Sequence, residues 1–150
     1  VLAFTLAPKV AIKRTFPSTG AAAHESKICA ALIAPNSKYI VTVGSEGDTT
    51  VKVWSLGGEL ISSANTKQVE QFGATISADS RLVAIACTSA VHAQRAVAPR
   101  HGQVPVFELA APSATAEPTS LRQVLCVGGH TRGVSSVSFA KDCVHLGIAS

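Results

Sequence analysis

Methionine is absent from this 150-residue chain, tryptophan and tyrosine occur once each, and charged residues make up only 15% of it. No apolar run approaches the roughly 20 residues a membrane-spanning helix needs, so no membrane span is expected in this segment. The opening "VLAFTLAPKVAI" is broken by Pro8 and Lys9 and lacks an initiating Met, so it is not read as a signal peptide. The true N-terminus, and any anchor or targeting segment, are expected to lie elsewhere. No dense Lys/Arg block accompanies the net charge of +4, which suits a solvated surface better than a nucleic-acid footprint. The four cysteines, Cys29, Cys87, Cys126 and Cys143, are far apart, and three lie in apolar runs, which points to buried free thiols in a reducing compartment rather than to a disulfide framework. Helix-period stretches are scarce.

What is present is 47% hydrophobic composition, enough for one ordinary core, arranged as short Val, Ile and Leu runs between Gly, Pro, Ser and Asn clusters. That pattern predicts an all-β chain. An internal repeat organises it. "HESKICAALIAPNSKYIVTV" from His24, "KQVEQFGATISADSRLVAIA" from Lys67 and "HTRGVSSVSFAKDCVHLGIA" from His130 each place an apolar strand, a four-residue polar turn and a second apolar strand at the same offsets. The first two copies continue into third strands, "VKVWSL" and "VPVFEL", and then into short fourth strands, "GELISS" and "LRQVLCV". "VLAFTL" reads as the third strand of a preceding copy, with Phe4 where Trp54 stands. One such four-stranded sheet cannot bury both faces alone, so the copies are expected to stack. The expected division is residues 1–20 as the end of one copy and 21–66 as a full copy. Residues 67–127 form a full but degenerate copy with an insert at 88–103, and 128–150 form the first half of a further copy.

In "DTTVKVWSL" the only tryptophan follows an aspartate by six residues, with Trp54 on a strand and Asp48 in the turn that feeds it. A buried Asp needs donors, an indole supplies one N–H, and His and Thr both donate and accept, so a relay Asp48, His24, Thr42, Trp54 would satisfy all four side chains. The second copy has Lys67, Ile85, His101 and Phe107 at these positions, so no relay forms there and apolar packing is expected to replace it. In the third copy His130 is kept but Ile148 replaces the Thr, so His130 is expected to find another partner.

The His before the first strand, the "APNS" turn, Thr42 in the second strand, and Asp48 and Trp54 around the third resemble the WD-repeat β-propeller family, as does "GGHTRGVSSVSFAKD". The fold expected on that basis is a partial WD-repeat β-propeller, about two full four-stranded blades plus two half blades. More narrowly, "TTVKVWSLGGELISSANTKQV" with "ATISADSRLVAIAC" is similar to the transducin-beta-like members. The resemblance implies a structural hydrogen-bonded tetrad and a non-enzymatic protein-protein interaction scaffold whose partners are other proteins, with no cofactor and no small-molecule substrate. It further implies a cytoplasmic protein at the cytosolic face of the endoplasmic reticulum, in stress or translation signalling, held there by a segment outside this stretch.

Other chemistry is weaker. His24 and Asp48 with Thr42 as nucleophile would make a triad, but nothing else in the sequence supports one. Cys126, His130, Cys143 and His145 lack the close pairs of a structural zinc site, so no metal is expected. The insert from Thr88 to Gln103 carries Arg95, Arg100 and His101, the expected partner-binding residues, because long connections on a rigid scaffold often hold binding function. A second insert, 111–120, reads as a floppy loop on the opposite face. Lys9, Lys13 and Arg14, with Arg95 and Arg100, support the alternative of an RNA- or ribosome-associated basic face, although exposed aromatics for base stacking are lacking.

Overall fold

In the computed structural model, residues 2–5, 11–88, 101–111 and 116–150 are described, 2–5 and 11–15 by their backbone alone. Every regular element among them is a strand: β1 (Leu2–Thr5), β2 (Ala11–Thr15), β3 (Ile28–Ile33), β4 (Tyr39–Gly44), β5 (Thr50–Ser55), β6 (Leu60–Asn65), β7 (Glu70–Ile76), β8 (Leu82–Thr88), β9 (Gly102–Ala110), β10 (Ser120–His130), β11 (Ser136–Phe139) and β12 (Leu146–Ala149). They form two antiparallel four-stranded sheets, β3-β4-β5-β6 and β7-β8-β9-β10, and two two-stranded sheets, β1-β2 and β11-β12.

The polar turns explain why the repeat holds despite sequence drift. Ser37, Ser80 and Cys143 occupy the same turn position with φ of 56°, 63° and 59°. At each, the N–H bonds back to the residue three earlier: Ser37 to Ala34, Ser80 to Ser77 and Cys143 to Ala140. The preceding Asn36, Asp79 or Asp142 accepts with Oδ1 from the N–H two residues on, an Asx turn in all three copies.

The sheets stack with strands of equal rank adjacent, β3 against β7 and β6 against β10. Alternation along the strands decides which residues meet. Val41, Val43, Val51 and Val53 from one face of the first full sheet meet Val83, Ile85, Phe107 and Leu109 of the second. The other face of the second sheet, with Ala84, Ala86, Val104 and Val106, packs on Val134, Val137, Phe139 and Ile148. Ile40 and Trp54 on the remaining face of the first full sheet pack with Phe16 and Ala23 from the connection after β2. Polar clasps tie neighbouring turns: Asn36 N–H donates to Ser80 Oγ at 3.0 Å, Asp79 N–H donates to Cys143 Sγ at 3.3 Å, and Tyr39 OH donates to the Ser80 carbonyl.

β10 continues to His130, beyond the boundary at residue 127 read from the sequence. Register breaks between Gln123 and Leu125 and between Val127 and His130, with Gly129 at φ +97°, bend this long outer strand.

Candidate functional site: a buried relay beneath a loop face

Gly44 ends β4, and the chain turns back through Ser45, whose carbonyl accepts the Asp48 N–H at 3.0 Å. A Cβ at Gly44 would sit 2.3 Å from the Asp48 carbonyl oxygen and 2.8 Å from its Cγ, so only glycine lets the carboxylate fold in against the strand end. Asp48 Oδ2 accepts from His24 Nδ1 and from the Glu25 N–H, both at 2.8 Å. Its Oδ1 accepts from the Thr50 N–H at 3.0 Å and from Thr50 Oγ1 at 2.5 Å. His24 Nε2 lies 2.7 Å from Thr42 Oγ1, which in turn accepts from Trp54 Nε1 at 2.8 Å. The structure thus brings His24, Thr42, Asp48 and Trp54 into one hydrogen-bonded chain joining β4, β5 and two loops.

The direction of the chain follows from protonation. Burial pushes the His24 imidazole below its ordinary pKa against the pull of Asp48. Burial alone would raise the Asp48 carboxyl, but the Thr50 hydroxyl, the Glu25 and Thr50 amides and His24 outweigh it and hold its pKa at about 2. At neutral pH the imidazole is therefore neutral and the carboxylate ionised. With the proton on Nδ1 facing Asp48, Nε2 accepts the Thr42 hydroxyl proton, which leaves the Thr42 oxygen to accept from the indole.

Asp, His and Thr at these distances have the connectivity of a nucleophilic triad. Thr42 is 0% exposed and its oxygen already receives the Trp54 N–H, so no substrate carbonyl reaches it in this state. The chemistry available to the relay is cohesion.

The equivalent positions in the second copy are built differently. Ile85 and Phe107 are fully buried in the core between the sheets, while Lys67 stands exposed at φ 56°. Apolar packing is joined there by a polar network absent from the sequence reading. Thr66 Oγ1 donates to the Thr49 carbonyl at 3.1 Å and accepts from Gln71 Nε2 at 2.6 Å, tying the loop before β7 to the start of β5. A glutamine where the first copy has Ile28 was the available signal. Thr50 was equally legible as a neighbour of Asp48. His130 Nδ1 lies 3.1 Å from Ser150 Oγ.

The loops carrying Ala23–Lys27, Ser45–Thr49 and Thr66–Val69 emerge at one end of the sheets, where Ile28 pairs with Gly44 and Glu70 with Thr88. A cavity of about 290 Å³ opens there among Glu25, Gly47, Asp48, Thr50, Lys52 and Asn65. Lys52 Nζ donates to the Ala23 carbonyl at 2.8 Å. Thr88 and Gly102 pair across the base of the insert, beside His130. His101 is half-buried; Arg95 and Arg100 lie outside the described residues. At the opposite end, a cavity of about 250 Å³ lies among Asn36, Tyr39, Ser80, Arg81, Leu109 and Ala116. Cys126, Cys143, His130 and His145 are separated onto Gln103, Asp79, Ser150 and Asp142, and among the described residues no group of three or more His, Cys, Asp or Glu is placed to hold a metal. No helix among them is long and apolar enough to cross a membrane.

Residues 14–55 match the family "WD domain, G-beta repeat". The chain is 42% identical over 60 residues to Transducin beta-like protein 2 of Mus musculus, covering 40% of this chain and 13% of that protein. To the Homo sapiens protein of the same name it is 39% identical over 61 residues, covering 41% and 13%. The match therefore spans a small part of the length of these curated relatives. Among solved structures it superposes on the mitotic checkpoint complex with a TM-score of 0.63 at 14% identity, covering 85% of this chain and 34% of that one. It also superposes on the RRP9 WD40 repeats with a TM-score of 0.60 at 14% identity, covering 85% and 33%. At such identities these likenesses speak to fold alone. Residues 14–55 thus match a WD-type repeat, and the two stacked antiparallel four-stranded sheets give the described residues the fold of part of a β-propeller.

Proposed function

We propose that the chain works as a non-enzymatic protein-interaction scaffold. The observation that supports this is the internal use of its most chemically capable cluster: His24, Asp48 and Thr42 are buried and satisfy one another and Trp54. What remains for partners is a rigid stack of sheets presenting loops at both ends, the arrangement on which binding loops are typically mounted. The contact surface lies on the end carrying the insert 88–103, where Arg95 and Arg100 would grip an acidic or phosphorylated segment, since guanidinium pairs bidentately with carboxylate and phosphate. Likeness to Transducin beta-like protein 2 supports a finer assignment, to stress or translation signalling at the cytosolic face of the endoplasmic reticulum. A fluorescent fusion of the full-length protein that fails to follow an endoplasmic reticulum marker would remove that part.

Replacing residues 88–103 with a short Gly-Ser turn in the full-length protein tests the scaffold reading. The expected result is an intact fold with weakened capture of native partners. Undiminished capture would move the contact surface elsewhere on the ring, and a salt-dependent shift of RNA by the unmodified protein would favour the nucleic-acid alternative.

A further inference from the structure

The cavity of about 290 Å³ at the loop end of the first full sheet has Glu25, Asp48, Thr49, Lys52 and Asn65 in its lining. Alternation along β5 puts Thr50, Lys52 and Trp54 on one face, and Lys52 pairs across the ladder with Thr42, so the lysine leaves the sheet beside the relay. It is partly buried there, with its ammonium 2.8 Å from the Ala23 carbonyl.

The lining is rich in donors and poor in acceptors. Asp48 accepts from His24, the Glu25 amide, and the Thr50 amide and hydroxyl, which fills both of its oxygens. The Thr49 carbonyl accepts the Thr66 N–H at 2.8 Å and the Thr66 hydroxyl at 3.1 Å. These acceptors are used up inside the fold. The donors are not, because an ammonium carries three N–H groups and the Ala23 carbonyl takes one of them. Asn65 spends its Oδ1 on the Lys67 N–H at 2.7 Å, so what it offers a ligand is its amide nitrogen. Glu25, the other carboxylate of the lining, is exposed, where water and salt screen it.

We propose that this cavity takes one side-chain carboxylate, an Asp or Glu of a partner's acidic segment, with the Lys52 ammonium and the Asn65 amide as its donors. The proposal rests on the scaffold reading above and adds to it a second anchor, on the first full sheet, at the same end as the insert on the second. A carboxylate brings only acceptors, which is what the unspent donors call for, and its bond to the ammonium is charge-assisted. The partial burial of Lys52 shields that bond from salt more than an exposed pair would be shielded.

Fluorescence anisotropy of a labelled hexaglutamate peptide with the full-length protein at low ionic strength reads the site. Lys52→Gln, which keeps a donor for the Ala23 carbonyl, should weaken binding about tenfold, the loss of one hydrogen bond to a charged group. Asn65→Asp keeps an oxygen for the Lys67 N–H but puts a carboxylate where the donors were, so it should weaken binding with the melting temperature unchanged. Glu25→Gln leaves the backbone N–H on Asp48 and should tighten binding about two- to threefold. Lys27→Gln, at an exposed lysine of the same end, should change it little. Absence of binding, equal losses for Lys27→Gln and Lys52→Gln, or binding unmoved by both Asn65→Asp and Glu25→Gln overturns the proposal. The Lys52 dependence should persist when residues 88–103 are replaced by the Gly-Ser turn. Its disappearance there would assign the peptide to the insert and overturn the cavity, whatever that replacement does to capture of native partners.

Discussion

Removing the Asp48 carboxylate should cost the fold about 2 to 3 kcal/mol, and two routes reach that figure. The depression of its pKa from 3.8 to about 2, at a side chain 3% exposed, corresponds to about 2 kcal/mol of preferential stabilisation of the ionised form. Counting bonds instead, Asp48→Ala strands the His24 Nδ1 donor, the Glu25 and Thr50 amides and the Thr50 hydroxyl, each partly or wholly buried. Buried donors left unpaired cost about 1 to 3 kcal/mol before relaxation, and water reaching the more exposed ones brings the total down toward the first figure. Asp142→Ala is the natural control. It breaks a His–Asp pair of similar geometry, Asp142 to His145 at 2.5 Å, but with side chains 47% and 79% exposed, so its loss should be smaller than that of Asp48→Ala. His101→Ala should likewise cost less. Denaturant midpoints of the variants in the full-length protein measure this. Equal losses for Asp48→Ala and Asp142→Ala would refute burial as the source of the relay's strength.

Gly44→Ala should be about as damaging as Asp48→Ala, because the new Cβ displaces the Asp48 backbone and carboxylate together; thermal unfolding of the pair and of the double variant should show non-additivity. Stability should fall as pH drops below about 6.5, since unfolding frees His24 to take up a proton that its lowered folded pKa resists, and again between about 4 and 2 as Asp48 is protonated. His24→Gln should flatten the first of these declines in a pH series of midpoints. Ser80→Ala, which removes the hydroxyl that accepts the Asn36 N–H, should destabilise by about 1 kcal/mol, read in the same denaturant series.

The first full sheet was legible because its signals are local. "APNS", "SADS" and "AKDC" carry the Asx residue and the left-handed position that fix each hairpin, and the alternation in "VKVWSL" sorts Val51 and Val53 from Trp54 before any neighbour is known. His24, Thr42, Asp48 and Trp54 were readable as a set because each supplies what another lacks. What was not legible depends on sheets far apart in sequence. Ser80 reads as a turn residue, and only stacking of the sheets shows its hydroxyl receiving the Asn36 amide 44 residues away. Thr66 and Gln71 read as ordinary polar residues until the start of β5 is brought beside them. The bend of β10 at Val124 answers to its partner β9 rather than to anything within "LRQVLC", whereas the second bend falls on the glycine pair Gly128 and Gly129.

The relay is a buried structural tie, and its end point is the indole N–H of the chain's only tryptophan. Hydrogen exchange of that proton, followed by NMR in the full-length protein, gives a single resonance to watch. Exchange should be slow enough to require opening of the sheet, and Thr42→Val, which removes the acceptor while keeping the shape, should accelerate it. Exchange at the rate of a free indole, or a rate unmoved by Thr42→Val, would contradict the account.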